Sequence, residues 1–329
     1  ARMNFRKRIR ELVTIGLLGL WMGILVSCSG CSFPLQPSSS PKKITILSYN
    51  VQNLFDDVSN GTEYYEFDPS RGEWTSELFH RKLLAISEVI LHRPRGGADI
   101  VVLQEVENRN AAEILRDHYL KGAGYRYIAV SEARESAIQI VCLSRFPFTT
   151  ARSHNFYIES VSTTRPIFEC EVKIEGGAKR LSVLANHWKS KSGGVEETER
   201  MRIAAADLVK RRVKELQTKN ADDGTLEGPV IIGDFNERID EYMDIGEAYT
   251  TALMPVSHFS ESAAEKGALF LTGERERADG ENIFYTPWLE TEAAGHIVEA
   301  SESTETSDTS EPPGVPGTYV YGGEWERID

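Results

Sequence analysis

The chain has 329 residues, of which 37 are Lys or Arg and 50 are Asp or Glu, so its formal net charge is −13. Hydrophobic residues make up 40% of the sequence, which supports a sizeable packed core in one large domain or two small ones. The acidic balance argues against a protein that binds long nucleic acid through a basic surface, although it is compatible with a local basic cleft.

The N-terminal segment has the character of an export signal. Basic residues among the first ten precede an apolar run from Leu12 to Val26. This run has 15 residues, which is short for a membrane span of roughly 20 and typical of a signal peptide. We therefore interpret residues 1–27 as a signal peptide.

The residues that follow this run resemble a bacterial lipobox, Leu25-Val26-Ser27-Cys28. The resemblance implies cleavage before Cys28 and a diacylglycerol on its thiol, whereas an ordinary signal peptide or a short membrane anchor would be the alternatives. Residues 28–43 are then the lipidated cysteine and a Pro/Ser-rich tether. We expect a lipoprotein anchored to a membrane of the cell envelope.

From residue 44 onward, strand-like and helix-like patterns alternate, which indicates an α/β domain of sheets covered by helices. The best-defined helix is predicted over Glu77–His92, with an apolar face of Phe79, Leu83, Ile86 and Ile90 and a cap at Thr75 or Ser76. Two more helices are predicted over 110–120 and 196–217, and strands over 43–51, 99–106, 136–144, 165–174, 180–188 and 228–237.

The segment 290–317 differs from the rest of the domain. Its central part, VEASESTETSDTSEPPG, has acidic but no basic side chains, many Ser and Thr residues, and little to bury. We predict a mobile acidic insertion there.

Two cysteines of the domain, Cys142 and Cys170, lie in strand-like apolar runs. They fit buried thiols, and a disulfide between them would also suit an oxidising envelope. The sequence leaves both interpretations open.

Polar residues of a similar kind follow or end several predicted strands: Asn50, Glu105, His187, Asp234 and Asn236. Each alone has an ordinary explanation, such as a turn former, a solvated strand end or a packed histidine. Together, carboxylates and carboxamides without cysteine suit a hard cation, Mg²⁺ or Mn²⁺, and a nearby histidine can transfer protons. Open α/β architectures bind ligands at such strand ends.

Taken in order, LSYNVQNL, DIVVLQEVEN, CLSRFPF, TRPIFECEV, ANHWKSK, VIIGDFNE and GTYVYGGEWERID resemble the motifs of the endonuclease/exonuclease/phosphatase superfamily, which includes pancreatic deoxyribonuclease I. The matches spread over residues 44–329, so we assign this range to one domain. The resemblance implies a four-layer α/β sandwich, in which helices flank two packed mixed β-sheets.

The resemblance also implies roles for residues that would bind the metal and the phosphate. Glu105 matches the principal metal-binding glutamate, and Asn50 the asparagine beside the metal and the scissile phosphate. Asn236 and Arg165 match residues that contact the phosphate, and Lys189 would add positive charge, unless it is only a solvated loop lysine.

Further roles concern the transfer of protons. Asp234 and Asn236 match the pair that orients the attacking water, and His187 matches the histidine near the leaving group. Asp329 matches the aspartate that supports the catalytic histidine. The Ser-Asp-His motif that closes the family's pattern is missing, and Ala1 precedes the first Met. We therefore expect the natural protein to continue beyond Asp329, and this chain itself to be weakly active or inactive.

The leading hypothesis is a monomeric, lipid-anchored nuclease or other phosphodiesterase of the cell envelope, which uses Mg²⁺ or Mn²⁺ and acts by in-line attack of water. Its partners would be nucleic acid or another phosphodiester substrate, and the membrane. The spacing of Trp325 and Asp329 looks like the nuclease-type arrangement. A phosphoinositide phosphatase or sphingomyelinase-like enzyme, and a non-catalytic surface binding module, remain alternatives.

Overall fold

The computed structural model describes residues 43–289, except 93, 134–135, 159–160 and 163–164, and the backbone of two later strands. The predicted signal peptide, Cys28, nearly all of the tether, the acidic insertion 290–317 and Asp329 lie outside the described residues. Within the described range, no helix has both the length and the apolar character needed to cross a membrane.

The first sheet has four strands in the order β1-β2-β4-β3. Strands β1 and β2 are parallel, and the other two pairings are antiparallel. The apolar run in β2 is buried on both faces, as expected for a strand inside layered sheets. The strands are β1 (Ile46–Leu54), β2 (Ile100–Val106), β3 (Tyr127–Val130) and β4 (Gln139–Ser144).

The second sheet repeats this plan with the order β10-β9-β8-β5. Here β9 and β10 form the parallel pair, and the other pairings are antiparallel. The short strands β6 (Tyr157–Ile158) and β7 (Val161–Ser162) form a separate antiparallel pair. The sheet strands are β5 (Phe148–His154), β8 (Ile167–Ile174), β9 (Lys179–His187) and β10 (Leu226–Asp234).

The two sheets pack face to face, with helices on their outer faces. Side chains such as Val102 from the first sheet and Val183 from the second share the cluster between them. Helices α1 (Ser76–His92) and α2 (Arg109–Ile114) cover the first sheet, and α3 (Val195–Asp223) covers the second. The predicted four-layer α/β sandwich is therefore confirmed.

Helix α1 has both the N-terminal cap and the buried apolar face that the sequence pattern predicts. The hydroxyl of Thr75 accepts a hydrogen bond from the backbone N–H of Leu78 at 3.3 Å, which caps the helix as predicted. The predicted apolar face is buried at all of its positions. Its burial against the first sheet stabilises both layers.

Both candidate cysteines are free thiols buried in the cluster between the sheets. Burial raises the pKa of Cys170 well above its usual value, and the neighbouring Cys142 adds to the effect. The interpretation as buried thiols is confirmed in this structure.

Strand β1 departs from the prediction that it ends at residue 51. It continues to Leu54, and the register with β2 shifts between Asn50 and Leu54. Gln52 and Asn53 have φ values of 54° and 64° there, so a bulge, and not a strand end, exposes the Asn50 region.

Several short elements were not predicted, namely β3, β5, β6, β7 and those between residues 241 and 285. Three of the later strands form a parallel sheet in the order β11-β12-β13, and the last two form an antiparallel pair. The elements that follow the second sheet are α4 (Glu241–Asp244), β11 (Leu253–Pro255), α5 (Glu261–Lys266), β12 (Leu269–Thr272), β13 (Ile283–Tyr285), β14 (Thr318–Tyr321) and β15 (Glu324–Arg327).

Candidate functional site

The site lies where the carboxyl ends of the two parallel strand pairs meet. In the first sheet, Asn50 of β1 is paired with Gln104 of β2, one residue before Glu105. In the second sheet, Asp234 of β10 is paired directly with His187 of β9. Because the sheets are packed together, the strand ends predicted from the sequence converge at one place.

The central group consists of Glu105, His187 and Asp234, whose possible ligand atoms all lie within 4.8 Å of one another. His187 Nε2 is 3.5 Å from Glu105 Oε1 and 3.9 Å from Asp234 Oδ2. Asn50 connects the two carboxylates, since its Nδ2 donates to Glu105 Oε1 at 2.9 Å and to Asp234 Oδ2 at 2.7 Å. The structure thus joins side chains from four strands in one cluster.

Backbone strain is concentrated at this cluster. Glu105 and Asn236 have φ values of 63° and 51°, in the left-handed region that non-glycine residues rarely adopt. With Gln52 and Asn53, they are four of the five described non-glycine residues that have positive φ. Each such residue costs of the order of 1–3 kcal/mol, so the surrounding contacts must hold it in place.

Side chains of the site supply these contacts. Asn50 Oδ1 accepts a hydrogen bond from the backbone N–H of Gln52 at 2.9 Å. In the same way, Asp234 Oδ1 accepts from the backbone N–H of Asn236 at 2.9 Å. Each polar side chain therefore fixes the strained loop that follows it.

A glycine is required at position 233 because the backbones of β9 and β10 approach each other closely there. Gly233 has a φ of 137° and brings β10 against β9. A Cβ at this position would lie 2.1 Å from the carbonyl oxygen of Asn186 and 2.7 Å from its nitrogen. Only glycine fits at this position, so the alignment of Asp234 with His187 depends on it.

Arg165 and Asn236 meet at the backbone of Trp188. Asn236 Nδ2 donates to the Trp188 carbonyl at 3.1 Å, and Arg165 Nη1 donates to the same oxygen. The Trp188 N–H in turn donates to the Asp234 carbonyl at 2.9 Å. The predicted phosphate-contacting residues therefore lie beside the carboxylate cluster.

The pKa values reflect this burial. Burial raises the pKa of Asp234 above its usual value, although hydrogen bonds from Asn50 and the Asn236 N–H act against it. Burial, with the charge of Arg165, holds the pKa of His187 well below its usual value. At neutral pH the imidazole of His187 is therefore uncharged, and it can bind a cation or take part in proton transfer.

The donor set fits a divalent cation. Two carboxylates and a neutral imidazole surround one small region, and the oxygen-rich set without cysteine suits Mg²⁺ or Mn²⁺. The sequence placed His187 only near the leaving group, whereas its Nε2 lies among the possible ligands. Asn50, predicted to bind metal, contacts both carboxylates through its amide nitrogen and so braces them.

Two residues near Glu105, Lys82 and Tyr64, are not predicted from the sequence. Lys82 of α1 donates through Nζ to the Gln52 carbonyl. Burial lowers the pKa of Lys82, although the charge of Glu105 acts in the opposite direction. Tyr64 is partly exposed, and burial raises its pKa, with Arg165 and Glu105 among the charges that act on it. Nothing in the local pattern separates them from ordinary surface residues.

Lys189 lies in the loop that follows β9. Its Nζ donates to the Ser192 carbonyl at 3.0 Å, and burial, with the charges of Arg165 and Arg202, lowers its pKa. It therefore lies on the Arg165 side of the cluster.

The family model described as the Endonuclease/Exonuclease/phosphatase family matches residues 45–246. Comparison with curated proteins gives no significant match. Similar solved structures include TDP2 from Caenorhabditis elegans, with 20% identity over 60% of this chain and 48% of that one and a TM-score of 0.41.

Two further structures are similar to the chain. The human Nocturnin catalytic domain with bound sulfate anion has 16% identity, covers 59% of this chain and 65% of that one, and has a TM-score of 0.38. Sphingomyelinase C from Streptomyces griseocarneus has 17% identity, with coverages of 68% and 69% and a TM-score of 0.38. The chain spans 48%, 64% and 56% of the lengths of three TDP2 structures from C. elegans.

Proposed function

The chain belongs to the endonuclease/exonuclease/phosphatase family, and from this premise we propose that it is a Mg²⁺- or Mn²⁺-dependent phosphodiester hydrolase, a lipid-anchored nuclease of the cell envelope. The family consists of divalent-metal-dependent hydrolases of phosphoester bonds. The observation that carries the proposal is the cluster of Glu105, His187 and Asp234, with Asn50 bonded to both carboxylates.

Glu105 and Asp234 would hold the cation, and His187 Nε2 lies within reach of the same position. When bound, a divalent cation polarises a phosphoryl oxygen as a Lewis acid and neutralises charge on the phosphate. The carboxylates are already oriented by Asn50, so little reorganisation is needed on binding.

The protein's own cations bind the phosphate. Arg165 is fixed by its hydrogen bond to the Trp188 carbonyl, and Lys189 lies on the same side. Asn236, held by Trp188 and by Asp234, supports the water that attacks in line with the leaving oxygen. Positioning and electrostatics of this kind supply most of the acceleration in phosphoryl transfer.

His187 acts at the leaving group in this proposal. Its imidazole is neutral, because burial and Arg165 lower its pKa. It can therefore donate a hydrogen bond to the oxygen on which negative charge develops, without adding a further positive charge to the site.

The substrate is a nucleic acid that is short or loosely held. The net charge of −13 disfavours tight binding of long polyanions, while Arg165, Lys82 and Lys189 provide local positive charge. The lipobox-like Cys28 and the tether support a membrane-anchored protein whose domain is held away from the lipid.

The test is a substrate panel with protein made from the complete gene. Plasmid DNA, RNA, sphingomyelin and inositol phosphates are incubated with Mg²⁺, with Mn²⁺ or with EDTA. We expect hydrolysis of nucleic acid that needs the metal and is lost in Glu105→Gln. Hydrolysis of the lipid or inositol substrates alone would favour the phosphatase or sphingomyelinase alternative, and no hydrolysis at all would favour a binding module.

A further inference from the structure

A buried arginine is hydrogen-bonded to the two segments that follow the site strands β9 and β10. Arg202 of α3 is 0% exposed, and each of its guanidinium nitrogens donates to the protein. Its Nε donates to Glu237 Oε2 at 2.8 Å, and its Nη2 to Glu199 Oε2 at 2.5 Å. Its Nη1 donates to Thr198 Oγ1 at 2.9 Å and to the Lys189 carbonyl at 3.2 Å. A charge buried this deeply is stable only because it is fully paired.

Two of these bonds reach the segments that carry the site. Lys189 is two residues beyond His187, and Glu237 directly follows Asn236. Arg202 thus joins the loop after β9 to the loop after β10. The same two loops are joined closer to the site by Trp188, which bonds to Asp234 and Asn236 through its backbone.

The carboxylates that pair with Arg202 are themselves anchored. Glu237 Oε1 accepts from the Leu253 N–H at 3.0 Å, and Glu199 Oε1 accepts from the Ala252 N–H at 2.7 Å. Both carboxylates are buried. The guanidinium is therefore held from three sides, by α3, by the β10 loop and by the start of β11, and it cannot shift independently.

From this arrangement we propose that Arg202, with Glu199 and Glu237, is the positioning group of the site, which sets His187 against Asp234 and Asn236. The inference rests on the function proposed above. Arg202 does not itself touch the cluster, so it acts through the two loops and through the strained backbone of Asn236.

The same helix offers a matched control. Arg212 also binds a buried glutamate through two bonds, from Nε to Glu169 Oε2 at 2.5 Å and from Nη2 to Glu169 Oε1 at 3.0 Å. Glu169 lies on β8, and among the described residues neither partner forms a hydrogen bond or ion pair with the site loops. Arg202→Lys and Arg212→Lys both keep the charge and lose the planar fork, so each costs stability but only one affects the site.

The experiment compares wild-type protein, Arg202→Lys and Arg212→Lys, made from the complete gene, at a temperature where circular dichroism shows all three folded. The first readout is the dissociation constant for Mn²⁺, and the second is kcat and KM for the nucleic acid that the wild type hydrolyses. We expect Arg202→Lys to weaken Mn²⁺ binding about 10-fold. We expect its kcat to fall about 10- to 100-fold with KM nearly unchanged, because the reacting groups are misplaced and substrate contacts are kept.

A carboxylate pair keeps the test usable if Arg202→Lys does not fold. Glu237→Gln keeps an acceptor for the Leu253 N–H but weakens the bond to Arg202, and Glu215→Gln is its control, since Glu215 is an exposed partner of Arg212. Only Glu237→Gln should lower Mn²⁺ affinity and kcat.

The outcomes separate the inference from the function. Wild-type protein that binds no Mn²⁺ and hydrolyses nothing would overturn the proposed function and this inference with it. Wild-type binding and activity, with Arg202→Lys and Glu237→Gln within about 2-fold of their controls, would overturn the inference alone.

Discussion

The carbonyl oxygen of Asn186 lies 2.1 Å from the point where a side chain at Gly233 would begin. This contact sets the spacing of β9 and β10 immediately before His187 and Asp234. The parallel strands that carry half of the site are thus held at a distance that no larger residue allows.

We therefore expect Gly233→Ala to destabilise the protein by about 2–4 kcal/mol, because a backbone atom must move and φ is unfavourable. Gly224→Ala is the control: Gly224 also has positive φ, at 63°, but a Cβ there would meet nothing within 4 Å, so about 1 kcal/mol is expected. Urea unfolding measures both. Equal losses of stability in the two variants would show that β9 and β10 can move apart at Gly233 without a cost in free energy.

Removal of a carboxylate should weaken the binding of metal. Wild-type protein should gain thermal stability with Mn²⁺, about 2.7 kcal/mol at a hundred times the dissociation constant. Glu105→Gln should weaken Mn²⁺ binding by more than about 10-fold, because even the loss of a residue that only supports a metal ligand typically costs about 10-fold in affinity. Glu113→Gln, in an exposed ion pair with Arg109, should bind as the wild type does. Calorimetric titration checks the three proteins, and equal affinities would remove Glu105 from the metal site.

The bridge made by Asn50 predicts a metal-dependent rescue. Asn50→Asp keeps an acceptor for the Gln52 N–H but replaces the donor between Glu105 and Asp234 with a third negative charge. Without metal we expect a loss of about 2–4 kcal/mol. Saturating Mn²⁺ should remove more than half of that loss.

Asn50→Leu is the comparison for this rescue, since it removes the donor without adding charge, and Mn²⁺ should recover less of its stability. Melting temperatures with and without Mn²⁺ distinguish the two variants. A rescue that is the same for both would argue that the added charge does not face the cation.

A buried carboxylate outside the site, Glu169, should make stability depend on pH in the acid range. Burial acts to raise the pKa of Glu169, but the hydrogen bonds from His154 and Arg212 outweigh it and hold that pKa at about 2. Glu169 therefore binds a proton less readily in the folded state than in the unfolded chain. The ionised Glu169 contributes about 3 kcal/mol to the free energy of unfolding. This contribution is present above pH 4.5 and is lost as the pH falls toward 2.

Glu169→Gln should accordingly lower stability at pH 7 and flatten the decline in the acid range. Chemical denaturation at a series of pH values checks this. A variant whose stability falls between pH 4.5 and 2 as steeply as the wild type would contradict the assignment to Glu169.

The layered fold and the four clustered residues could be predicted because long, regular patterns carry them. Strand β2 is apolar at consecutive positions before Glu105, and α1 repeats its buried residues at helical spacing. Strands β11 to β13 have three or four residues each, too short to show a period. The role of Arg202 was hidden for another reason. A basic residue in a long amphipathic helix is normally solvated, whereas the burial of Arg202 depends on Glu237 from the loop after β10.

The hydrogen bond between Asn50 and Asp234 joins residues that are 184 positions apart. Closing so long a loop costs chain entropy that is recovered only after both sheets have formed and docked. The cation site is therefore among the last features to be completed during folding. An ion that binds only the completed site stabilises the docked sheets by mass action, so its concentration sets how often the two halves of the domain come apart.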